Sequence, residues 1–209
     1  GTFLDAWGAP GNRDGEFYLP YGIALDKVGN VYVSEFGNQR VQRFSPTGGH
    51  LSTWGGSGND DGQFNSPWRI AVAGPQAVYV ADTSNPRIQQ FTQDGAYLRE
   101  WGSYGSGPGN FMEPIGVAVD GHGYVYVVDR LNNRVQKFDR YGVWITSWGG
   151  YGDEKGKFVD PIGIAVDSDD LVYVAERGDD ELNTDRLQVF EADGTWVATW
   201  GGPGSGLGE

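Results

Sequence analysis

The chain has 209 residues, with 35 Gly, no Cys, and 28 acidic against 15 basic residues, for a net charge of −13. This charge argues against nucleic acid or an anionic membrane surface as partners, because both are bound through Lys and Arg. The lack of Cys excludes disulfides, thiol nucleophiles and Cys-ligated zinc, and no apolar run approaches the roughly 18 residues that span a bilayer, so membrane insertion is not expected.

A 47-residue repeat organises the chain. The dipeptide Trp-Gly recurs at intervals of 47, 47, 47 and 52 residues, at Trp7, Trp54, Trp101, Trp148 and Trp200. The longer last interval places a short insertion between Glu176 and Arg186. We therefore divide a single domain, 1–209, into repeats at approximately 9–55, 56–102, 103–149 and 150–201, with 1–8 as a lone outer strand and 202–209 as the start of a further repeat.

Each repeat contains four strand signals. In the first repeat these are Tyr21–Asp26, which is nearly all apolar, Asn30–Glu35, Arg40–Phe44, which alternates apolar and polar residues, and Leu51–Trp54. Short β-rich runs separated by turn residues are typical of strands, and no helical periodicity competes with them. Tandem units of four antiparallel strands predict an all-β fold, a β-propeller whose first strands line the central channel and whose fourth strands form the rim. A linear β-solenoid is the alternative.

The repeated pattern Gly-x-Phe-x-x-Pro-x-Gly-[Ile/Val]-Ala-[Val/Leu]-Asp, followed by Val-Tyr-Val, Val-Gln-x-Phe and Trp-Gly, resembles the NHL repeat family over essentially the whole chain. The resemblance implies a propeller with four complete repeats and a surplus N-terminal strand, either closed by itself or part of a larger ring or array. It also implies RNA or protein binding, a sensor ectodomain, or a zinc-dependent lyase. Only His50 and His122 are present, at different repeat phases, so a three-histidine zinc site cannot form.

Four acids recur at the end of the second strand, each followed by an Arg at the start of the third. The pairs are Glu35 with Arg40, Asp82 with Arg87, Asp129 with Arg134, and Glu176 with Arg186. Bidentate pairing would fix the strand connection. An array of catalytic acids is the alternative, but fourfold repetition favours a structural role.

Carboxylates also offer two candidate metal sites. In three repeats the first strand ends with an Asp, namely Asp26, Asp120 and Asp167, whereas the second repeat has Ala73 at this position. The three carboxylates could form a cation-binding ring, or the residues could simply initiate turns. The inserted loop carries an acidic cluster outside the repeat phase, which reads as a calcium site or a solvated loop: Asp179, Asp180, Glu181 and Asp185.

Departures from the repeat are the better guide to specificity, because blade construction does not explain them. After the repeated Pro stand Tyr21 and Trp68 in two repeats and Ile in the others, and Arg69 replaces a repeated Gly. The residue after the second-strand acid also varies. Aromatic and Arg side chains are frequent in binding hot spots, so we select as the candidate binding surface Tyr21, Trp68, Arg69, Phe36, Arg130 and Arg177.

The segment Gly1–Glu16 aligns without gaps to Gly194–Glu209. A redundant outer strand of this kind is consistent with a segment of a longer array, a four-bladed ring with a spare strand, or head-to-tail joining of identical copies.

These observations lead to the expectation of a non-enzymatic protein-interaction or structural scaffold, exported or on a cell surface, which self-associates through its unpaired terminal strand. Its partners would be proteins, including further copies of itself. No cofactor is expected, calcium being the alternative. The alternative functions are a divalent-metal-dependent lyase or hydrolase that uses the Asp ring, and a small-ligand or glycan-binding propeller centred on Tyr21 and Trp68.

Overall fold

The computed structural model describes residues 2–3, 5–74, 77–179, 181–182 and 184–202, and these form four sheets of four antiparallel strands. A short parallel pair precedes them, and a three-residue 3₁₀ helix (Arg130–Asn132) lies in one connection. The strands are β1 (Ala9–Pro10), β2 (Glu16–Phe17), β3 (Pro20–Leu25), β4 (Val31–Glu35), β5 (Arg40–Phe44), β6 (His50–Gly55), β7 (Pro67–Ala73), β8 (Ala77–Asp82), β9 (Arg87–Phe91), β10 (Tyr97–Trp101), β11 (Pro114–Val119), β12 (Val125–Asp129), β13 (Arg134–Phe138), β14 (Trp144–Gly149), β15 (Pro161–Val166), β16 (Val172–Glu176), β17 (Arg186–Phe190) and β18 (Trp196–Trp200).

Each sheet is a meander of four consecutive strands and forms one blade: β3–β6 is blade 1, β7–β10 blade 2, β11–β14 blade 3 and β15–β18 blade 4. The inner strands β3, β7, β11 and β15 pack against one another in that order. This arrangement confirms the predicted all-β propeller of four-stranded blades. In the part of the chain that the structure describes, no helix is long and apolar enough to cross a membrane.

The core lies between the blades rather than within them. One cluster joins blades 1 and 2, where Tyr32 and Val41 meet Ile70 and Phe91. Equivalent clusters join blades 2 and 3, and blades 3 and 4. Each blade therefore has a leading face, turned toward the preceding blade, and a trailing face, turned toward the next.

The four repeated acid–Arg pairs hold the blades to their connections. The Arg Nε atom lies 2.7 Å from Glu35, 2.8 Å from Asp82, 3.0 Å from Asp129 and 2.7 Å from Glu176 in the four blades. In blade 1 the remaining guanidinium nitrogens of Arg40 donate to the backbone carbonyls of Asn12, Arg13 and Glu16. Because the pair is used in the same way in every blade, its role is to anchor the linker that precedes the blade.

The N-terminal segment packs on blade 1 without pairing as a strand. Residues 5–8 form no strand, which differs from the predicted outer strand. The indole of Trp7 nevertheless covers Gly48 and lies 4.6 Å from the ring of Phe44. Trp54, Trp101 and Trp148 cover a Gly of the next blade in the same way.

Candidate functional site

The candidate binding residues lie at one mouth of the propeller. Tyr21 and Trp68 follow the Pro that begins an inner strand, and Phe36 follows the acid that ends the second strand. Since these two strands are antiparallel, the start of one and the end of the other share an edge. The sequence positions that vary between repeats are therefore displayed together at the mouth.

An aromatic cluster forms the part of the mouth contributed by blades 1 and 2. The rings of Tyr21 and Trp68 stack with centroids 5.4 Å apart and planes inclined by 22°, and Phe36 lies 5.3 Å from Tyr21 and 6.5 Å from Trp68. Tyr21 stays 47% exposed. Arg69 is exposed beside the cluster and forms no ion pair with any described residue. This part of the mouth offers an apolar surface with an adjacent cation.

The part contributed by blades 3 and 4 is ionic instead. Arg130 donates to Asp160 and, over 3.0 Å, to Glu113, while Arg177 binds the second carboxylate oxygen of Asp160 at 2.6 Å. Burial alone would raise the pKa of Asp160, but its hydrogen bonds to the two Arg side chains outweigh burial and lower that pKa. The hydrogen bond that Arg130 donates to Asp160 in turn raises the pKa of Arg130. Arg130 and Arg177 are thus neutralised within the protein and do not form a free cationic surface.

Sequence reasoning did not select Asp160 and Glu113. Both stand immediately before the repeated Pro, where blades 1 and 2 have Leu19 and Ser66. An acid therefore occurs at this position only in the two blades that carry an Arg after the second strand. That co-occurrence is the signal that could have revealed the network.

In the acidic loop of blade 4, the carboxylates of Asp179 and Asp185 accept hydrogen bonds from nearby groups of the protein. Asp179 accepts hydrogen bonds from the backbone N–H groups of Glu181 and Leu182 and from the hydroxyl of Tyr151, and Asp185 accepts one from Gly178. Asp180 lies outside the described residues. Among the described residues this loop forms no group suited to a metal ion.

A group that could hold a metal ion lies instead at the opposite ends of the inner strands. It consists of Asp120, His122 and Asp170, whose ligand atoms all lie within 4.8 Å of one another, with Nδ1 of His122 3.0 Å from a carboxylate oxygen of Asp170. Asp120 is buried and accepts hydrogen bonds from the backbone of His122 and Tyr124. One nitrogen and two carboxylates leave coordination positions open for water or substrate, as in catalytic zinc sites.

The predicted carboxylate ring is not assembled around a common centre. Asp26, Asp120 and Asp167 each accept a hydrogen bond from a Tyr hydroxyl of the second strand of their own blade, at 3.3, 2.9 and 2.7 Å. The tyrosine hydrogen bond lowers the pKa of Asp167. These residues therefore close the turn after the inner strand, and only Asp120 also contributes to the metal-capable group.

The two ends of the blade series expose faces that are buried elsewhere. On the leading face of blade 1, Ile23 is 71% exposed, whereas its equivalents Ile70 and Val117 are 5% and 6% exposed. On the trailing face of blade 4, Trp200 is 55% exposed, and among the described residues its one aromatic neighbour is Tyr173, whose ring is tilted by 45° with its centroid 5.6 Å away. In the described part of the chain, β15 does not pack on β3 as the other inner strands pack on their neighbours.

Four consecutive four-stranded antiparallel blades define this chain as a β-propeller protein. A family model described as a 6-bladed beta-propeller matches residues 58–148, and the NHL repeat model matches residues 17–44. These two matches support an NHL-repeat β-propeller, the family that the repeated motifs resemble.

Solved structures with this fold are longer than the chain. A streptogramin B lyase aligns with a TM-score of 0.64 at 15% identity, over 86% of this chain and 53% of that one. The hydrazine synthase of Kuenenia stuttgartiensis aligns with a TM-score of 0.67 at 14% identity, over 90% and 51%. A gluconolactonase from Xanthomonas campestris gives 0.61 at 17% identity, over 85% and 60%. The chain thus spans roughly half of these proteins, and the likeness shows a common fold.

These comparisons correct one prediction. The absence of a catalytic motif in the sequence led us to expect a non-enzymatic protein, but the structures that share the fold include a lyase and a gluconolactonase. The expectation of a non-enzymatic protein is therefore wrong, because the propellers that share this fold include enzymes. In this chain, the metal-capable group joins residues of blades 3 and 4, which a motif within one segment does not reveal.

Proposed function

We propose that the chain is a self-associating interaction scaffold, in which the trailing face of blade 4 packs on the leading face of blade 1 of a second copy. The observation that carries this proposal is the exposure of Ile23 and Trp200, whose equivalents pack between consecutive blades. Both faces already have the residue types of a blade-to-blade interface. Exposed apolar surfaces of this kind are typical of interaction sites.

The duplicated terminal sequence supports the same contact. Trp7 covers Gly48 of blade 1 as the tryptophan of a preceding blade would. Because Gly194–Glu209 aligns without gaps to Gly1–Glu16 and places Trp200 at the position of Trp7, the end of one copy carries a tryptophan that could take the place of Trp7 on the next. Such a heterologous contact produces either a closed ring of copies or a filament.

Substitutions on the two faces test the proposal. In sedimentation velocity experiments on the 209-residue chain, we expect the mass to rise above 22.7 kDa with increasing concentration. Ile23→Asp or Trp200→Ser should weaken association by roughly 30-fold or more, as loss of an interface hot spot of about 2 kcal/mol implies.

Leu51→Asp provides the matched control, because Leu51 is 50% exposed on the outer strand β6, away from both faces. It should associate like the unmodified chain. A mass of one chain at every concentration would contradict the proposal, as would equal effects of Ile23→Asp and Leu51→Asp. Either result would instead favour the alternative that these two faces pack against further blades of a longer polypeptide.

A metal-dependent enzyme is the second candidate, favoured by the Asp120, His122 and Asp170 group and by the enzymes that share the fold. We expect zinc to bind stoichiometrically in calorimetric titration, with His122 supplying the nitrogen ligand. His122→Ala should abolish the binding heat, whereas His50→Ala, which alters the chain's other histidine, should leave it unchanged. Equal titration curves for the two variants would rule out this site.

A further inference from the structure

Blade 2 departs from the other blades at the turn after its inner strand. In blades 1, 3 and 4 an Asp carboxylate occupies this position and accepts the hydrogen bond of the second-strand Tyr. Blade 2 has Ala73 there. The hydroxyl of the corresponding Tyr79 has instead a backbone carbonyl of Arg140 at 3.4 Å and the side-chain amide of Gln90 at 3.2 Å. Tyr79 has therefore lost its carboxylate partner.

The third strand of blade 2 departs from the repeat as well. At the position of Gln90, blades 1 and 3 carry cations, Arg43 and Lys137, which lie over the ring of the second-strand Tyr. Gln90 is 7% exposed, and its Oε1 atom has no hydrogen-bond partner. A buried polar atom without a partner is unfavourable, so its presence indicates a missing group.

These two departures border a cavity of about 420 Å³ between blades 2 and 3. This volume is within the range of small-molecule sites. Its walls combine apolar and polar side chains and include Ala73, Tyr79, Gln90, Arg140 and Tyr141, together with Asp120 and His122 of the metal-capable group. The carboxylate of Asp120 already accepts hydrogen bonds from the backbone of His122 and Tyr124 and from the hydroxyl of Tyr126.

The surroundings of the cavity favour an anion. Among the described residues, neither Arg140 nor Arg99 forms an ion pair, although the chain as a whole is strongly acidic. Arg99 lies over the ring of Tyr141, 5.1 Å from its centroid, and its Nε atom is buried without a hydrogen-bond partner. Seven buried side-chain atoms of the described residues lack a partner; three are indole nitrogens of the repeated Trp, one is Oε1 of Gln90 in the cavity wall, and one is Nε of Arg99, which lies over the lining residue Tyr141. Burial raises the pKa of Tyr79, so its hydroxyl is a hydrogen-bond donor at neutral pH.

We propose that this cavity binds a small hydroxy or amino carboxylic acid. The carboxylate of the ligand takes the place of the Asp that Ala73 replaces, accepts the hydrogen bond of Tyr79 and is attracted by Arg140. The neighbouring hydroxyl or ammonium group of the ligand donates to Oε1 of Gln90. The site is independent of the blade-to-blade contact, because it lies between blades 2 and 3.

Glycolate has a carboxylate and a neighbouring hydroxyl, whereas acetate has only the carboxylate. Comparing the two acids therefore tests the contact with Tyr79 and Arg140 separately from the contact with Gln90. In NMR titrations of the full chain, both should cause saturable shifts of the Gln90 side-chain amide signals, with glycolate binding more tightly. Ala73→Asp supplies the carboxylate of the other blades and should weaken glycolate by at least about tenfold, the loss expected for a charged hydrogen bond. Leu51→Asp adds the same charge on the rim and should bind like the unmodified chain.

Gln90→Leu is the second variant and introduces no charge. It should remove the preference for glycolate over acetate while acetate still binds, with the shifts then followed at the backbone amide of His122. No saturable shift with either acid would overturn the proposal. It would also be overturned if folded Ala73→Asp bound glycolate unchanged, or if Gln90→Leu kept the preference.

Discussion

Replacement of Asp129 by Ala is expected to lower the free energy of unfolding by about 3–5 kcal/mol, the range measured when one partner of a buried ion pair is removed. Asp129 is fully buried and accepts four hydrogen bonds, from the backbone of Met112 and Glu113 and from the side chains of Asn132 and Arg134. Alanine would leave these donors without an acceptor. Arg134 would keep its bonds to linker carbonyls but would lose the opposite charge.

Urea unfolding followed by tryptophan fluorescence measures this effect. Asp139→Ala is the matched control in the same blade, since Asp139 is partly exposed and accepts hydrogen bonds only from the backbone of a turn. Its cost should stay within about 1 kcal/mol, typical of turn and cap residues. If the two substitutions destabilised the protein equally, the acid–Arg pair would not be the anchor of the blade.

The fold was predictable because the same pattern of four strands recurs in every blade. A strand predicted at Arg40–Phe44 agrees with β5 at both ends, and the other predicted strands of blade 1 differ from the structure by no more than one residue at each end. Repetition also distinguished the acid–Arg pairs from catalytic acids. A residue needed in all four blades is needed for building a blade.

The features that escaped sequence reasoning are contacts between different blades. Asp120 and Asp170 are 50 positions apart in the chain and meet only because the turns of blades 3 and 4 lie side by side. The Ala73 substitution was visible in the sequence as a break in a series. Its consequence, a cavity beside the unpaired Oε1 atom of Gln90, required the packing of blade 3 against blade 2.

The exposure of the leading face of blade 1 and the trailing face of blade 4 also could not be predicted from the sequence. Ile23 and Ile70 occupy the same repeat position and have identical side chains, yet one is 71% and the other 5% exposed. Repeat position determines which way a side chain points, while burial depends on whether a neighbouring blade is present. This difference is the reason that we propose association at the two ends of the blade series.

Gly142→Ala is expected to cost about 2–5 kcal/mol, the sum of a left-handed backbone penalty and overpacking. Gly142 has a φ of +85°, and an added Cβ would lie 2.6 Å from Cδ2 of Trp101 in the neighbouring blade. The tryptophan would have to leave the surface it covers. The substitution therefore strains the backbone and opens the contact between blades 2 and 3.

Gly156→Ala separates these two contributions, because Gly156 has a φ of +80° and no atom within 4 Å of an added Cβ. It should cost only the backbone penalty of about 1–2 kcal/mol. Combining Gly142→Ala with Trp101→Leu should cost less than the sum of the single substitutions, since the clash is removed with the indole. Denaturant unfolding of the four variants measures the difference in the free energy of unfolding. Equal destabilisation by Gly142→Ala and Gly156→Ala would show that the contact of Trp101 with Gly142 does not hold blades 2 and 3 together.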